Sequence, residues 1–348
     1  NSISSYITFN NCSSKAKVGT TKTNRGYVGR HGFMIKFNNC LLGGIDDHWG
    51  YDYTVDKCNL GGGIQIAGGS LTVNDTRAGG ILVNLREDTP YCNGTLKIRN
   101  SYGANGILRA YGHVTPQANT GVYGPHKVWD IIDIDVDCSS DDFTASPIII
   151  KEPRQNQTDV YRDTILKLTG CYKMIEASSP LLQEWHQDNN AGTAETDWYT
   201  DLESKRLFSV IDVNVKVFVK NGVETGRAPL IDAILAKNIT LKSNHATFDA
   251  VRSTDVFTIE DSKISESKQT SLGYVVSELN INNVNLIGSP NLFNRGSTHK
   301  VFIQGGRIEN QNRFVTMFGS NLEACNGTSY EDESFKAIGN LSLRNYRK

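Results

Sequence analysis

Residues 35–40 read IKFNNC, residues 53–58 read YTVDKC and residues 71–76 read LTVNDT. Each stretch alternates between apolar and polar for four positions. A turn-prone or polar residue follows at the fifth position and a small one at the sixth. Alternation with a period of two is the mark of a strand with one buried face. The first residues are 18 apart in both steps, so the stretches form a repeat, and a repeat of that length is a stacking unit.

Outward from this core the same hexad recurs as ITFNNC at 7, LKIRNS at 96, DIDVDC at 133, LKLTGC at 166, FSVIDV at 208 and ITLKSN at 239. It continues as FTIEDS at 257, LNINNV at 279, VFIQGG at 301 and LSLRNY at 341. Asn, Asp and Gly at the fifth position suit a sharp corner, because they tolerate the left-handed backbone that turns the chain. One strand per repeat then builds a parallel sheet with inward ladders, in which Ile35, Phe37, Val55, Leu71 and Val73 point to the core. Tyr53 goes either inward or to the rim. Repeats of 18 to 22 residues are too short for strand–helix units, and a sandwich would show hairpin turns. The expected fold is all-β, a right-handed parallel β-helix in which residues 1–348 make one domain, with insertion loops at about 101–132 and 172–206.

The bulk composition is consistent with this. The chain holds 32 Gly and only 8 Pro, and its 36 basic residues nearly match its 37 acidic ones. A balanced charge gives no pull toward nucleic acid or an anionic membrane, and no apolar run is long enough for a transmembrane helix. The start at Asn1 reads as a piece of something longer. Five of the seven cysteines, Cys12, Cys40, Cys58, Cys138 and Cys171, occupy the sixth position. They read as a ladder of small buried side chains with free thiols, implying synthesis in a reducing cytoplasm. No Cys or His spacing suits zinc, so neither a metal nor a cofactor is expected. The seven N-x-S/T sequons read as accidental in an Asn-rich chain.

Spacings between hexads widen to 37, 33, 42 and 31 residues between 96 and 239. Loops inserted into consecutive repeats should lie side by side and wall a groove. The richest insertion, residues 183–206, carries Trp185, Trp198, Tyr199 and His186 among Glu184, Asp188 and further carboxylates. Aromatic faces stack on the C–H faces of sugars while carboxylates and amides bond hydroxyls. Glu184 and Asp188 are the candidate general acid and base, with Trp185, His186, Trp198 and Tyr199 binding substrate. The bland alternative is that the aromatics anchor the loop. A second focus is the GGIDDHWGYDY segment at 43–53. There Asp46 and Asp47 are candidate catalytic carboxylates, and His48 and Trp49 candidate substrate contacts. Neighbouring residues of an extended segment face opposite ways, so only one of the two carboxylates can line a groove unless the segment turns. Its alternative is an ordered corner. The acidic run at 137–142 is partly explained by turn chemistry.

The Asn-rich corners, the unpaired cysteine ladder and the GIDDHWGYDY segment resemble the receptor-binding region of bacteriophage tailspikes. These are trimeric β-helical proteins that recognise, and often depolymerise, bacterial capsule or O-antigen. The resemblance covers most of the chain and is architectural. It implies a fold, a bacterial surface polysaccharide as partner, a homotrimer and a place on the virion tail, with action outside the cell. It assigns no residue roles. The expected activity is endo-acting, hydrolytic depolymerisation of a polysaccharide, with a non-catalytic glycan-binding adhesin and a polysaccharide lyase as alternatives. Pectinase-like enzymes of the same architecture, the pectin-lyase-like solenoids, are the nearest rival. Of the polygalacturonase elements only the paired Asp has echoes, at 46–47 and 141–142, and Gly112-His113-Val114 breaks the Gly-His-Gly element. A lyase of the calcium type needs a carboxylate cluster with a nearby basic residue. Asp133, Asp135 and Asp137 alternate on one face of a strand in a way compatible with it.

Overall fold

The computed structural model describes residues 5–18, 33–47, 50–66, 70–79, 81–85, 94–99, 101–103, 106–112, 129–151, 164–175, 180–185, 208–219, 231–232, 236–244, 251–265, 270–287, 290–293, 300–309, 320–325, 329–330 and 339–343. Among these residues every regular element is a strand, and every strand pairing with a resolved register is parallel. The chain divides into two compact units. One comprises residues 1–137, 147–167 and 184–208; the other comprises residues 138–146, 168–183 and 209–348.

In the first unit, strands Ser5–Asn10, Phe33–Asn38, Gly50–Asp56, Ser70–Asn74 and Gly94–Arg99 follow one another in a single sheet. The register joins hexad to hexad: Ile7, Ile35, Tyr53, Leu71 and Leu96 form one row, and Phe9, Phe37, Val55, Val73 and Ile98 form the next. Ile35, Phe37, Val55, Leu71 and Val73 are all buried, as the alternation requires, and so is Tyr53. Tyr53 is therefore not at the rim. Each fully buried side chain of this size contributes about 1.5–3 kcal/mol, and stacking like residues on successive repeats lets them pack ring on ring. The Phe9 and Phe37 rings lie parallel with centroids 4.9 Å apart.

The corners after the first four of these strands repeat as well. Asn11, Asn39, Lys57 and Asp75 occupy the fifth position of successive hexads, and each has a φ between 44° and 53°. The left-handed turn frees the peptide groups on either side to bond to the adjacent repeats. The Asn39 amide donates to the Asp56 carbonyl at 3.0 Å, and Asn59 donates back to the Cys40 carbonyl at 2.8 Å. The sixth residue tucks inward and donates to the carbonyl two residues before it, as Cys58 Sγ does to Asp56 at 3.2 Å and Thr76 Oγ1 to Asn74 at 2.7 Å. Where that residue has a hydroxyl it also accepts the amide of the preceding repeat, so Cys58 N donates to Thr76 Oγ1 at 3.2 Å. Small polar side chains belong at this position because it is buried and lined by carbonyls. Cys40 and Cys58 are buried there, burial pushes the Cys58 thiol up, and no described cysteine is in a disulfide.

Past each corner the chain enters a second parallel sheet, to which Leu41–Asp47, Ile64–Ile66, Ile81–Leu85, Leu108–Gly112 and Ile148–Lys151 contribute in turn. The frame of the hexad at 133 is one residue late. Leu96 pairs with Ile132 rather than Asp133, and Trp129–Phe143 runs straight on without a corner at Asp137. Cys138 is buried because the strand continues through it.

The second unit repeats the scheme. Ala236–Ser243, Val251–Glu260, Thr270–Asn282, Lys300–Gln304, Ser320–Cys325 and Gly339–Leu343 follow one another in a sheet. Asp261, Asn283 and Gly305 stand at its left-handed corners. Lys263–Ser265, Asn285–Ile287, Arg307–Glu309 and Ser329–Tyr330 form a separate sheet. In Phe208–Val219 the buried residues are Phe208 and then Ile211, Val213, Val215 and Val217, so the hexad at 208 shifts phase after its first residue. Among the described residues no helix is long and apolar enough to cross a membrane, which says nothing of a β-barrel.

Candidate functional site

The Gly43–Tyr53 segment is built on close backbone packing. A Cβ at Gly43 would sit 2.2 Å from the Lys15 carbonyl oxygen, and one at Gly62 would sit 2.6 Å from the Gly43 carbonyl oxygen. Glycine is required here because neighbouring repeats meet backbone to backbone. Leu41–Asp47 then runs extended with Leu42, Ile45 and Asp47 buried, and its register places Asp46 beside Gln65 and Asp47 beside Ile66.

This register decides the fate of the two carboxylates. Asp47 points into the core and is 2% exposed, whereas Asp46 is half-buried on the opposite face. A buried carboxylate is costly unless it is hydrogen-bonded. The phenol of Tyr53, itself fully buried, donates to Asp47 Oδ1 at 2.8 Å. Asp47 and Tyr53 thus tie the end of one strand to the middle of the next across the interior. The pair of adjacent carboxylates does not open onto one groove. His48 and Trp49 lie outside the described residues.

Asp52, in Gly50–Asp56, is half-buried next to Ser70, and burial raises its carboxyl above the ordinary range. An acid whose folded pKa lies above its unfolded value disfavours folding once it ionises. The penalty is absent below the ordinary Asp pKa of about 3.9 and complete above the raised value. Asp52→Asn is therefore expected to raise Tm at pH 7 and to leave it unchanged near pH 3, as read by thermal melts at the two pH values. A lower Tm at pH 7 would show that the charged form is stabilised instead.

Asp133, Asp135 and Asp137 do share the outer face of Trp129–Phe143, alternating with buried Ile132, Ile134 and Val136. Arg99 caps this row. Its Nη1 donates to Asp133 Oδ1 at 3.0 Å, and Nη2 pairs with Oδ2. That bidentate contact holds the guanidinium even more firmly protonated than usual, which suits a clamp and not a base. Among the described residues no group of three or more His, Cys, Asp or Glu side chains could hold a metal ion. The row does not form the calcium cluster that lyase chemistry of that type requires. Asp142, in the second unit, pairs with Lys173 at 3.3 Å.

Of the long insertion, the structure describes the root. Leu182–Trp185 is a strand; Leu181 and Leu182 are buried, and Leu182 and Gln183 pair with Ile231 and Asp232. Ser146 Oγ donates to Gln183 Oε1 at 3.3 Å. Glu184 and Trp185 close that strand. Their side chains lie outside the described part, as do His186, Asp188, Trp198 and Tyr199.

Two contacts at these sites are not read from the sequence pattern. Tyr53 meets Asp47 across the core, and Arg99 meets Asp133 from a strand 34 residues away. Arg99 and Asp133 face outward on adjacent strands once Leu96 is paired with Ile132. No protein-family model, no curated protein and no solved structure matches this chain.

Proposed function

We propose that the chain is a right-handed parallel β-helix of the tailspike type that binds a bacterial surface polysaccharide and cuts it by endo-acting hydrolysis. It would act as a homotrimer on the virion tail. The observation that carries this reading is the 183–206 insertion, which concentrates two of the four tryptophans and many carboxylates and departs from a strand rooted by buried leucines. A rooted loop can hold aromatic platforms and acid–base groups at fixed positions, which binding and catalysis on a long polymer both need. In-phase left-handed corners and parallel, in-register strands support the β-helix. Asp47 has an interior partner in Tyr53, so the balance of candidates shifts toward Glu184 and Asp188. One of them would protonate the leaving oxygen while the other activates water or attacks the sugar, and their separation sets the stereochemistry.

The test is incubation with purified capsule and O-antigen polysaccharides, with reducing ends counted. Release of reducing ends without an unsaturated, ultraviolet-absorbing product is the expected result. Ultraviolet absorbance would show a lyase, and binding without product an adhesin. Trp185→Ala and Trp198→Ala are expected to weaken binding by roughly 1–3 kcal/mol each through loss of a stacking platform, with Tm unchanged. Unaltered affinity in both would reduce the aromatics to loop anchors.

A further inference from the structure

The outer face of the second unit's sheet holds a second cluster of the residue types that sugars require. Along Val251–Glu260, Thr270–Asn282 and Lys300–Gln304 the inward residues Phe257, Ile259, Leu279 and Ile281 are fully buried or nearly so. The residues between them face outward, and the register lines them up across the strands. Thr240, Thr258, Asn280 and Phe302 form one row, and Glu260, Asn282 and Gln304 form the row beside it. Phe302 is an aromatic on this otherwise mostly polar face, which also carries Val256 and, on Phe208–Val219, the more exposed Phe218. It is partly exposed, in an outward row with Asn280 in register on one side and Glu323 on the other. Asn280, its in-register neighbour, is held by a hydrogen bond from Nδ2 to Glu278 Oε1 at 3.1 Å.

We propose that Phe302, Asn280, Asn282 and Gln304 form a glycan subsite for uncharged, hydroxyl-rich pyranose units, separate from the 183–206 insertion. Adjacent strands are about 4.8 Å apart and alternate residues along a strand about 7 Å apart, so the three amides border one side of Phe302 within the span of a single pyranose. The phenyl ring offers a stacking surface for the apolar face of one pyranose. Asn280, oriented by Glu278, together with Asn282 and Gln304, offers both donors and acceptors to the hydroxyls. The row of Thr258 and Thr240 continues the polar track by one repeat per strand, which suits successive units of a polymer lying across the strands. No cation is needed for such a ligand.

This inference rests on the reading of the chain as a polysaccharide binder, and the experiment separates the two. Binding is measured on an array of purified bacterial capsule and O-antigen polysaccharides for wild type, Phe302→Ala, Phe302→Tyr, Asn280→Ala and Trp198→Ala. Oligomeric mass is measured in parallel. On a polysaccharide that wild type binds, Phe302→Ala is expected to weaken binding about tenfold, equivalent to about 1.4 kcal/mol, while Phe302→Tyr stays close to wild type. Asn280→Ala should weaken binding less than Phe302→Ala does. Should Phe302→Ala not fold, Phe302→Leu keeps apolar volume without the ring and carries the same expectation. Wild-type affinity in the Phe302 variants, with loss only in Trp198→Ala, overturns the second subsite and leaves the parent reading standing. A change in oligomeric mass in place of affinity overturns it too, assigning the face to contact between copies of the chain. Absence of binding by wild type to every polysaccharide withdraws both readings.

Discussion

Gly43→Ala is expected to destabilise the first unit by more than about 3 kcal/mol, beyond the usual range for one added methyl group in a packed interior. Overpacked side chains ordinarily relax by changing rotamer, but here the obstacle is backbone. The new Cβ would lie 2.2 Å from the Lys15 carbonyl oxygen and 2.8 Å from two further main-chain atoms. Lys15 lies in Ser13–Val18, whose register slips against Leu41–Asp47 between Ser14 and Lys17, and this bulge presses the chain onto Gly43. Relief requires moving one strand of a sheet whose other strands are held in register. Gly61 is the control. A Cβ there would meet nothing closer than 3.8 Å, so Gly61→Ala should be neutral or should stabilise by about 0.4–1 kcal/mol through the unfolded chain. Chemical denaturation of both variants checks the pair, and equal stabilities would mean that the close approach of the repeats is not a constraint.

The largest functional effect is expected at the carboxylates of the long insertion. Glu184→Gln and Asp188→Asn should each reduce polysaccharide cleavage by roughly a hundred- to ten-thousand-fold, the contribution of a positioned general acid or base. Binding should stay near wild type, because the amide keeps the shape and most hydrogen bonds of the acid. A charge that acts chiefly in the transition state lowers kcat when lost, and leaves ground-state affinity in place. Asp46→Asn and Asp47→Asn are the counterpart. Asp47 is buried against Tyr53, so its amide variant should lower stability first, and turnover only through loss of folded protein. Reducing-end release at saturating substrate, normalised to folded protein, distinguishes these outcomes. Full turnover in both loop variants, with turnover lost in Asp46→Asn, would move the chemistry to the earlier segment.

Much of the architecture is legible in the hexads because burial on one face leaves a local, two-residue period. The reading succeeds where residue type and position agree. Asn11, Asn39, Asp75, Asp261 and Asn283 are types that accept a left-handed backbone, and all adopt it. Lys57 adopts it too, with φ at 51°, although nothing about lysine favours that conformation; it stands at the same corner and its amide makes the same bond to the next repeat, to Asn74. The reading slips at 133, where the hexad begins on the polar Asp133, whereas burial of the apolar residues starts the repeat at Ile132, which pairs with Leu96. It misses Ser320–Cys325 altogether, since Leu322 and Ala324 alternate but Ala324 is too small to mark a core position. That strand pairs with Lys300–Gln304 nonetheless.

The sequence by itself determined that this is an all-β protein whose repeats present one apolar face each and turn at corresponding points, for the period of two and the corner residue are properties of a few consecutive residues. Only the tertiary structure decided where the polar groups go. Whether Asp47 faces a groove or the core depends on the register of Leu41–Asp47 against Ile64–Ile66. Whether Arg99 meets solvent or Asp133 depends on which repeat is stacked next to it. Hydrophobic burial is non-directional and tolerates many partners, so it can be written into a local pattern. A hydrogen bond or ion pair needs one partner at one distance and angle, and that partner is supplied by the stacking of segments distant in the chain.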